Sequence, residues 1–295
     1  MHAIILTDNQ NTNLGPLDDM VLPALLPVAG RPVLLHLLEQ LHRSGIRSVS
    51  VISRSAYTEL ERAIDTRPLL GMDVTFLSRM PLLRRFDDNI LMIGTHKLVD
   101  FNWEFVKALH SNSHTYGVTK LTTSPADIVG LLFHAHTAQL VPDVWDDFSA
   151  LEKSISIGLP KVLKLDSLAE YRDANFELLN GNCTHLFAAG RQLTPNMRVA
   201  PKALAPEKVM RGKHAYIGMH SRIDATVKLC GNVVIGDDVF IDKHACITNS
   251  IILDGTYIGA MTSIEDAIVK GNMLIKINSG ICLTIDDPVL LSTAV

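Results

Sequence analysis

The first half of the chain alternates short apolar runs with helical stripes. Ala3-Ile4-Ile5-Leu6 predicts a buried strand, and the stretch AIILTDNQNTNLGPL carries it into a polar turn. Val33 to Leu41 places Leu34, Leu37, Leu38 and Leu41 on one helical face, with Gly45 as the stop. Val49 to Ile52 predicts a second strand, Tyr57 to Ile64 a second helix and Val74 to Leu77 a short strand. Ile90-Leu91-Met92-Ile93-Gly94 is apolar throughout, which suits a central parallel strand. Phe101 to His110 predicts a helix and Gly117 to Thr122 another strand. This order implies an α/β domain whose mainly parallel sheet carries helices on both faces.

The second half changes period. Counting in sixes from Ile217 gives Ile223, Leu229, Ile235, Ile241 and Ile247, all branched aliphatic. Two residues before these lie Ala215, Ser221, Val227, Val233, Val239 and Ala245, all small or β-branched. After Ile251-Ile252-Leu253 the frame shifts and resumes at Ile258 and Ile264. Such a hexapeptide pattern is the signature of a parallel β-helix, with about eighteen residues per triangular coil. The stretch from Ala215 to about Leu274 supplies roughly three coils. Between the halves, Pro195, Pro201 and Pro206 suggest a linker. The expected organisation is an α/β domain over 1–180, a linker over 181–210, and a β-helix with a tail over 211–295.

Composition narrows the classes. Of 295 residues, 47% are apolar, enough for sizeable cores. A net charge of −4 argues against nucleic acid as the main partner. Cys183, Cys230, Cys246 and Cys282 are widely spaced without a C-x-x-C pair, which suggests reduced thiols rather than a disulfide scaffold or zinc site. The start MHAIILTDNQ has no basic leader, and VLLHLL and IVGLLF are too short to span a bilayer. The expectation is a cytoplasmic protein without membrane insertion.

Leu22 to Leu41, LPALLPVAGRPVLLHLLEQL, resembles the sugar-phosphate nucleotidyltransferases, or NDP-sugar pyrophosphorylases. Several of these carry a C-terminal left-handed β-helix, so the resemblance implies a Rossmann-like domain followed by that element. It runs without a gap over residues 3–55, is patchy to 175, and returns over the β-helix. The family opens roughly A-x-I-L-A-G-G-x-G-T-R-L-x-P-L-T, then P-K-x-L-L-P-V-A-G-R-P. This chain keeps Ile5-Leu6, Thr12, Leu14, Pro16-Leu17 and Leu25 through Pro32.

What the resemblance implies about chemistry is loss. The family transfers a nucleotidyl group from an NTP to a sugar 1-phosphate, with Mg²⁺ and cationic side chains neutralising the phosphates. Its nucleotide loop is degenerate here: Asp8, Asn9 and Asn11 replace glycines beside Thr12. Asn13 stands for the arginine that meets the leaving phosphates, and Pro23 for the P-K lysine. In ILMIGTHKLVD, Thr95 takes the place of a Mg²⁺-binding aspartate, and a hydroxyl is a poor substitute at a hard cation. In VLKLDSLAEYRDAN, Lys164 takes the second metal aspartate, unless a two-residue slip makes Asp166 the carboxylate. No G-T-A loop precedes Ile90, and Glu152-Lys153-Ser154 is not a convincing E-K-P segment.

Other chemistry-bearing residues have plainer readings. Asp100 could be a displaced metal ligand, but a helix cap near Asn102 is favoured. His96 could bind metal or phosphate, with a solvated loop histidine the favoured alternative. His134 and His136 could bind metal, yet no third ligand is visible. Among His214, His220 and His244, the second or third could act as the general base of a hexapeptide acyltransferase, although exposed coil histidines are the better expectation. Arg84-Arg85 could hold an anion, and Asp143 with Asp146-Asp147 a cation, against a solvated turn and a helix start.

The leading expectation is a catalytically degenerate nucleotidyltransferase that regulates or scaffolds sugar-nucleotide or surface-polysaccharide synthesis. Two alternatives stand beside it. One is an active nucleotidyltransferase that rebuilds its Mg²⁺ site from Asp100 and Asp166. The other is a hexapeptide-type acyltransferase. No cofactor is expected unless the active reading holds. Expected partners are a second copy through the β-helix, and an active nucleotidyltransferase or polysaccharide-assembly enzyme.

Overall fold

The computed structural model describes residues 1–7, 13–54, 56–64, 69, 71–81, 87–112, 117–124, 127–134, 154–210 and 212–294. In chain order the first elements are β1 (His2–Leu6), α1 (Pro16–Met20), β2 (Pro27–Val28), β3 (Arg31–Pro32) and α2 (Val33–Arg43). There follow β4 (Ser48–Ile52), α3 (Tyr57–Ala63), β5 (Asp73–Leu77), β6 (Ile90–Gly94), β7 (Lys97–Val99) and α4 (Trp103–Asn112). Then come β8 (Val118–Ser124), β9 (Asp127–Phe133), β10 (Ser154–Gly158), β11 (Val162–Lys164) and α5 (Leu168–Leu179). Two compact units result. One comprises Met1–Thr12, Leu22–Leu25 and Val33–Lys164; the other comprises Asn13–Val21, Leu26–Pro32 and Leu165–Val295. The boundaries therefore differ from those expected, because short N-terminal segments join the C-terminal unit.

The first unit is built on a seven-stranded sheet in the order β10-β8-β9-β6-β1-β4-β5. β1 runs parallel to β4 and β6, β4 to β5, and β10 to β8. β9 is antiparallel to both β6 and β8. Gly130 allows this insertion: opposite Ile93 in the register, its missing Cβ would lie 2.7 Å from the Met92 carbonyl oxygen. Apolar β6 is buried along its length, as a central strand should be. α2 buries Leu34, Leu37, Leu38 and Leu41, and also Gln40, whose Nε2 donates to the Val99 carbonyl at 2.7 Å. At its end Ile46 N–H donates to Leu41 O at 3.0 Å around Gly45, a left-handed glycine stop.

The second unit is built on a parallel β-helix of the left-handed type. Its strands are β12 (Arg191–Thr194), β13 (Met197–Val199), β14 (His214–Ile217), β15 (Arg222–Ile223), β16 (Lys228–Cys230) and β17 (Asn232–Ile235). They continue as β18 (Phe240–Ile241), β19 (Cys246–Thr248), β20 (Ile251–Ile252), β21 (Thr256–Ile258), β22 (Ser263–Glu265) and β23 (Ala267–Lys270). β24 (Met273–Lys276), β25 (Cys282–Thr284) and β26 (Leu291–Thr293) complete it. Both columns of the hexapeptide pattern are buried, from Ala215 and Ile217 to Ala245 and Ile247. Register partners sit one coil apart: Ile217 faces Ile235, and Leu229 faces Ile247. After the Asn249 corner the pairing tightens by one residue, so that Ile235 faces Ile252 and Ile241 faces Ile258. This corner is the physical cause of the frame shift. Asn249 turns it in the left-handed backbone region, with φ 45°.

Part of the proline-bearing segment 181–210 is strand rather than linker. β13 pairs parallel with β14, Met197 facing Ala215, and so founds the first coil. Pro195 and Pro201 fall in turns, where a missing N–H costs nothing. Antiparallel strands cover several edges of the prism: β12 lies on β13, β24 on β23, β25 on β24 and β26 on β21. Among the described residues, no helix is long and apolar enough to cross a membrane.

Candidate functional site

In the first unit, β6 ends at Gly94 and the chain turns through Thr95 and His96 into β7. Thr95 N–H donates to the Leu6 carbonyl at 3.1 Å. The side chain is 1% exposed, and its hydroxyl has no hydrogen-bond partner. His96 is half-buried rather than a solvated loop residue. Burial, then the neighbouring Lys97 ammonium, pushes its pKa down to about 4.

Two residues beyond Thr95, Lys97 is buried and is the antiparallel register partner of Lys164 in β11. Asp127 at the start of β9 ties the two together. It forms an ion pair and hydrogen bond with Lys97, accepts from the Thr123 hydroxyl, and lies 3.5 Å from Lys164 Nζ. Burial alone would raise the Asp127 carboxyl. The Lys97 and Thr123 hydrogen bonds and the two ammoniums outweigh that and hold it at about 2. The carboxylate held beside Lys164 is thus already committed to two cations. Nothing in the local sequence around Asp127 signals this role, because its two lysine partners are thirty or more residues away.

The other candidates divide between the units. Asp100 is buried in the first unit, where its N–H donates to Lys161 O at 3.0 Å. It is not the cap of α4: Asn102 Oδ1 accepts from Glu104 N–H at 2.9 Å and takes that role. Pro23 is half-buried in a 3₁₀ turn, Pro23–Leu25. In the second unit Asn13 is exposed, and its N–H donates to Asp166 O at 2.8 Å. Ser167 caps α5, accepting from Glu170 N–H. Asp8, Asn9, Asn11 and Thr12 lie outside the described residues, as do Arg84, Arg85, His136, Asp143, Asp146, Asp147, Glu152 and Lys153. Among the described residues, no group of three or more His, Cys, Asp or Glu could hold a metal ion.

His134 has a partner the sequence did not suggest. Its ring stacks on His110 of α4, with centroids 4.0 Å apart and planes 18° from parallel. His214 Nδ1 lies 2.8 Å from Asn180 Oδ1, while His220 sits 3.4 Å from Asp238. His244 N–H donates to the Thr226 hydroxyl at 2.8 Å. The His220 and His244 contacts join residues at turns of adjacent coils, whereas that of His214 reaches the residue that ends α5.

The residues retained in PVAGRP have structural partners within the second unit. Tyr171 OH donates to Pro27 O at 2.6 Å, and Ala29 N–H to Asn175 Oδ1 at 2.8 Å. Ala29 O accepts from Ala189 N–H at 2.9 Å. Burial holds the Tyr171 hydroxyl well above its ordinary pKa, so it stays a neutral donor.

Comparison with known proteins agrees with this framework. The family model described as the GMPPB C-terminal domain matches residues 210–285. A glucose-1-phosphate thymidylyltransferase from Streptomyces antibioticus is 30% identical over 79 residues, 27% of this chain. The chain spans only 22% of the length of that curated relative. A solved structure described as a glucose-1-phosphate thymidylyltransferase from Bacillus anthracis, in complex with sucrose, aligns with TM-score 0.49 and 13% identity. That alignment covers 60% of this chain and 94% of the other. These matches are to sugar-phosphate nucleotidyltransferases over part of the chain. Its residues 210–285 are similar to the C-terminal domain named GMPPB.

Proposed function

We propose that this chain is a catalytically silent sugar-phosphate nucleotidyltransferase-like protein, acting as a regulatory or scaffolding component of sugar-nucleotide or surface-polysaccharide synthesis. The observation that carries this reading is the charge at the end of β6. A Mg²⁺ site needs ionised oxygens with free lone pairs. Thr95 offers a neutral hydroxyl, and the nearby Asp127 is bound to Lys97 and Lys164. Asn13 and Pro23 supply no cation for a leaving pyrophosphate.

The test is a coupled pyrophosphate-release assay with Mg²⁺, each common NTP, and a panel of sugar 1-phosphates. The expected result is no turnover above a protein-free blank. Turnover that Asp100→Asn or Thr95→Ala abolishes would overturn the proposal in favour of a rebuilt active site. A thermal shift with an intact sugar nucleotide, alongside no turnover, supports a sensing role. Self-association through the β-helix belongs to the same proposal. Its support is the β25 end of the large sheet, where Ile281 and Leu283 stand exposed. Sedimentation at several concentrations measures it.

A further inference from the structure

β25 is the last strand of the large sheet, with β24 on one side and, among the described residues, no strand on the other. Such an edge presents N–H and C=O groups that a further strand can take up. Which groups face outward follows from the bonds made to β24. Lys276 N–H donates to Ile281 O, and Ile285 N–H to Asn272 O, both at 2.8 Å. Hydrogen bonding to a given neighbour alternates along an antiparallel strand. With Leu274 opposite Leu283 in the register, Ile281, Leu283 and Ile285 therefore turn their backbone groups toward β24. Those of Cys282 and Thr284 turn to the open edge.

Side chains alternate in the same rhythm. Ile281, Leu283 and Ile285 lie on one face, all branched and apolar, with Cys282 and Thr284 on the other. Ile281 is 55% exposed and Leu283 47%, so this apolar stripe is only partly covered by the chain itself. Edge strands that stay single are commonly guarded by lysine, proline or an inward-pointing charge. The stretch from Ile281 to Ile285 has none of these.

The strand is complementary to itself. When two copies run antiparallel about Leu283, Cys282 of each lies opposite Thr284 of the other. Every outward N–H then meets an outward carbonyl. Leu283 faces its own counterpart in a non-hydrogen-bonded pair, the closer of the two antiparallel spacings, with Cα atoms about 4.5 Å apart. Ile281 meets Ile285 in the same way, so the apolar stripe runs unbroken across the junction. Asp286 and Asp287 fall opposite Gly280 and Ser279, and no like charges oppose one another. A register centred one residue earlier would need the Gly280 N–H, which already donates to Lys276 O at 2.8 Å.

We propose that the partner of β25 is a second copy of this chain, the two large sheets joining through antiparallel β25 strands about a two-fold axis at Leu283. This rests on the self-association reading above and names its surface and register. The contact is isologous and closes at two copies.

Sedimentation velocity of the full chain is expected to show a dimer. Leu283→Lys sets two ammoniums face to face, and Thr284→Pro removes an outward N–H that β24 does not use, a position where an edge strand accepts proline. Each should weaken the dimer about tenfold or more, with melting curves that show the fold intact. Under mild oxidation, Leu283→Cys in a Cys282→Ser background should form a disulfide between chains, because the facing Cα atoms are within its reach. Native Cys282 should not, since the two-residue stagger holds its Cα atoms about 8 Å apart. A monomer at every concentration overturns this proposal together with the self-association reading. A dimer untouched by Leu283→Lys and Thr284→Pro overturns the β25 surface and moves self-association elsewhere on the chain. Cross-linking through native Cys282 instead of Leu283→Cys overturns the register.

Discussion

Gly30 and Tyr216 compete for one space, and the tyrosine ring fills it. A Cβ on Gly30 would lie 2.1 Å from Tyr216 Cζ, and the glycine backbone has φ +84°. Both residues belong to the second unit. The glycine that makes PVAGRP resemble a nucleotide-handling segment is thus required for packing as well. Together with the Pro27 and Ala29 hydrogen bonds, this gives the segment a structural role of its own.

Gly30→Ala should destabilise the protein by about 2–4 kcal/mol, through backbone strain and overpacking. Urea unfolding followed by near-UV circular dichroism measures it. Adding Tyr216→Ala should relieve the steric part and leave the backbone part. A single variant as stable as the parent would show that the hairpin readily moves aside.

Asp237 and Asp254 form a second testable relationship. Met219 N–H donates to Asp237 Oδ1 at 2.6 Å, and Asp237 N–H donates to Asp254 Oδ1 at 2.8 Å. Burial raises both carboxyls above the ordinary range. The accepted backbone N–H pulls each down, and the charge of neighbouring aspartates pushes each up again. A raised folded-state pKa means that folding favours the protonated acid. Ionisation therefore costs stability above the folded pKa, and the cost vanishes as pH falls below about 4. Asp254→Asn keeps the accepting oxygen and removes the charge. It should melt higher than the parent at pH 7–8, with the gap closing toward pH 4. A lower melting temperature across that whole range would reject this account.

The stacked histidines give the opposite sign. Burial, then the adjacent His134, pushes His110 down to about 4, and its Nδ1 lies 2.8 Å from the Thr119 hydroxyl. The unfolded chain protonates His110 near 6.5, so the folded state loses stability as pH drops from there toward 4. The loss reaches about 3 kcal/mol at most. His110→Phe keeps an aromatic stack and removes the titration. Its unfolding free energy should change less between pH 7 and pH 5 than the parent's. Equal slopes would mean that His110 takes up its proton equally well in the folded and unfolded chain, and would reject this account.

The β-helix was legible because one triangular coil fixes which residues point inward, and Ile217 to Ile247 obey that rule without exception. The α/β strands were legible through apolar runs such as β6. The direction and position of β9 were not, since an apolar run carries no mark of its neighbour or of its sense. Asp127 escaped for the same reason: its chemistry comes from Lys97 and Lys164, which sheet topology delivers. His110 was hidden within a helix-forming stretch.

A stack of identical rungs has no intrinsic length. In this chain β12 turns back against the first rung, and β24, β25 and β26 turn back at the other end. The antiparallel strands act as terminators that set the rung count. An extra coil spliced in between them would keep the same ending strands, so the prism can grow or shrink over evolutionary time from its middle while both ends keep their form.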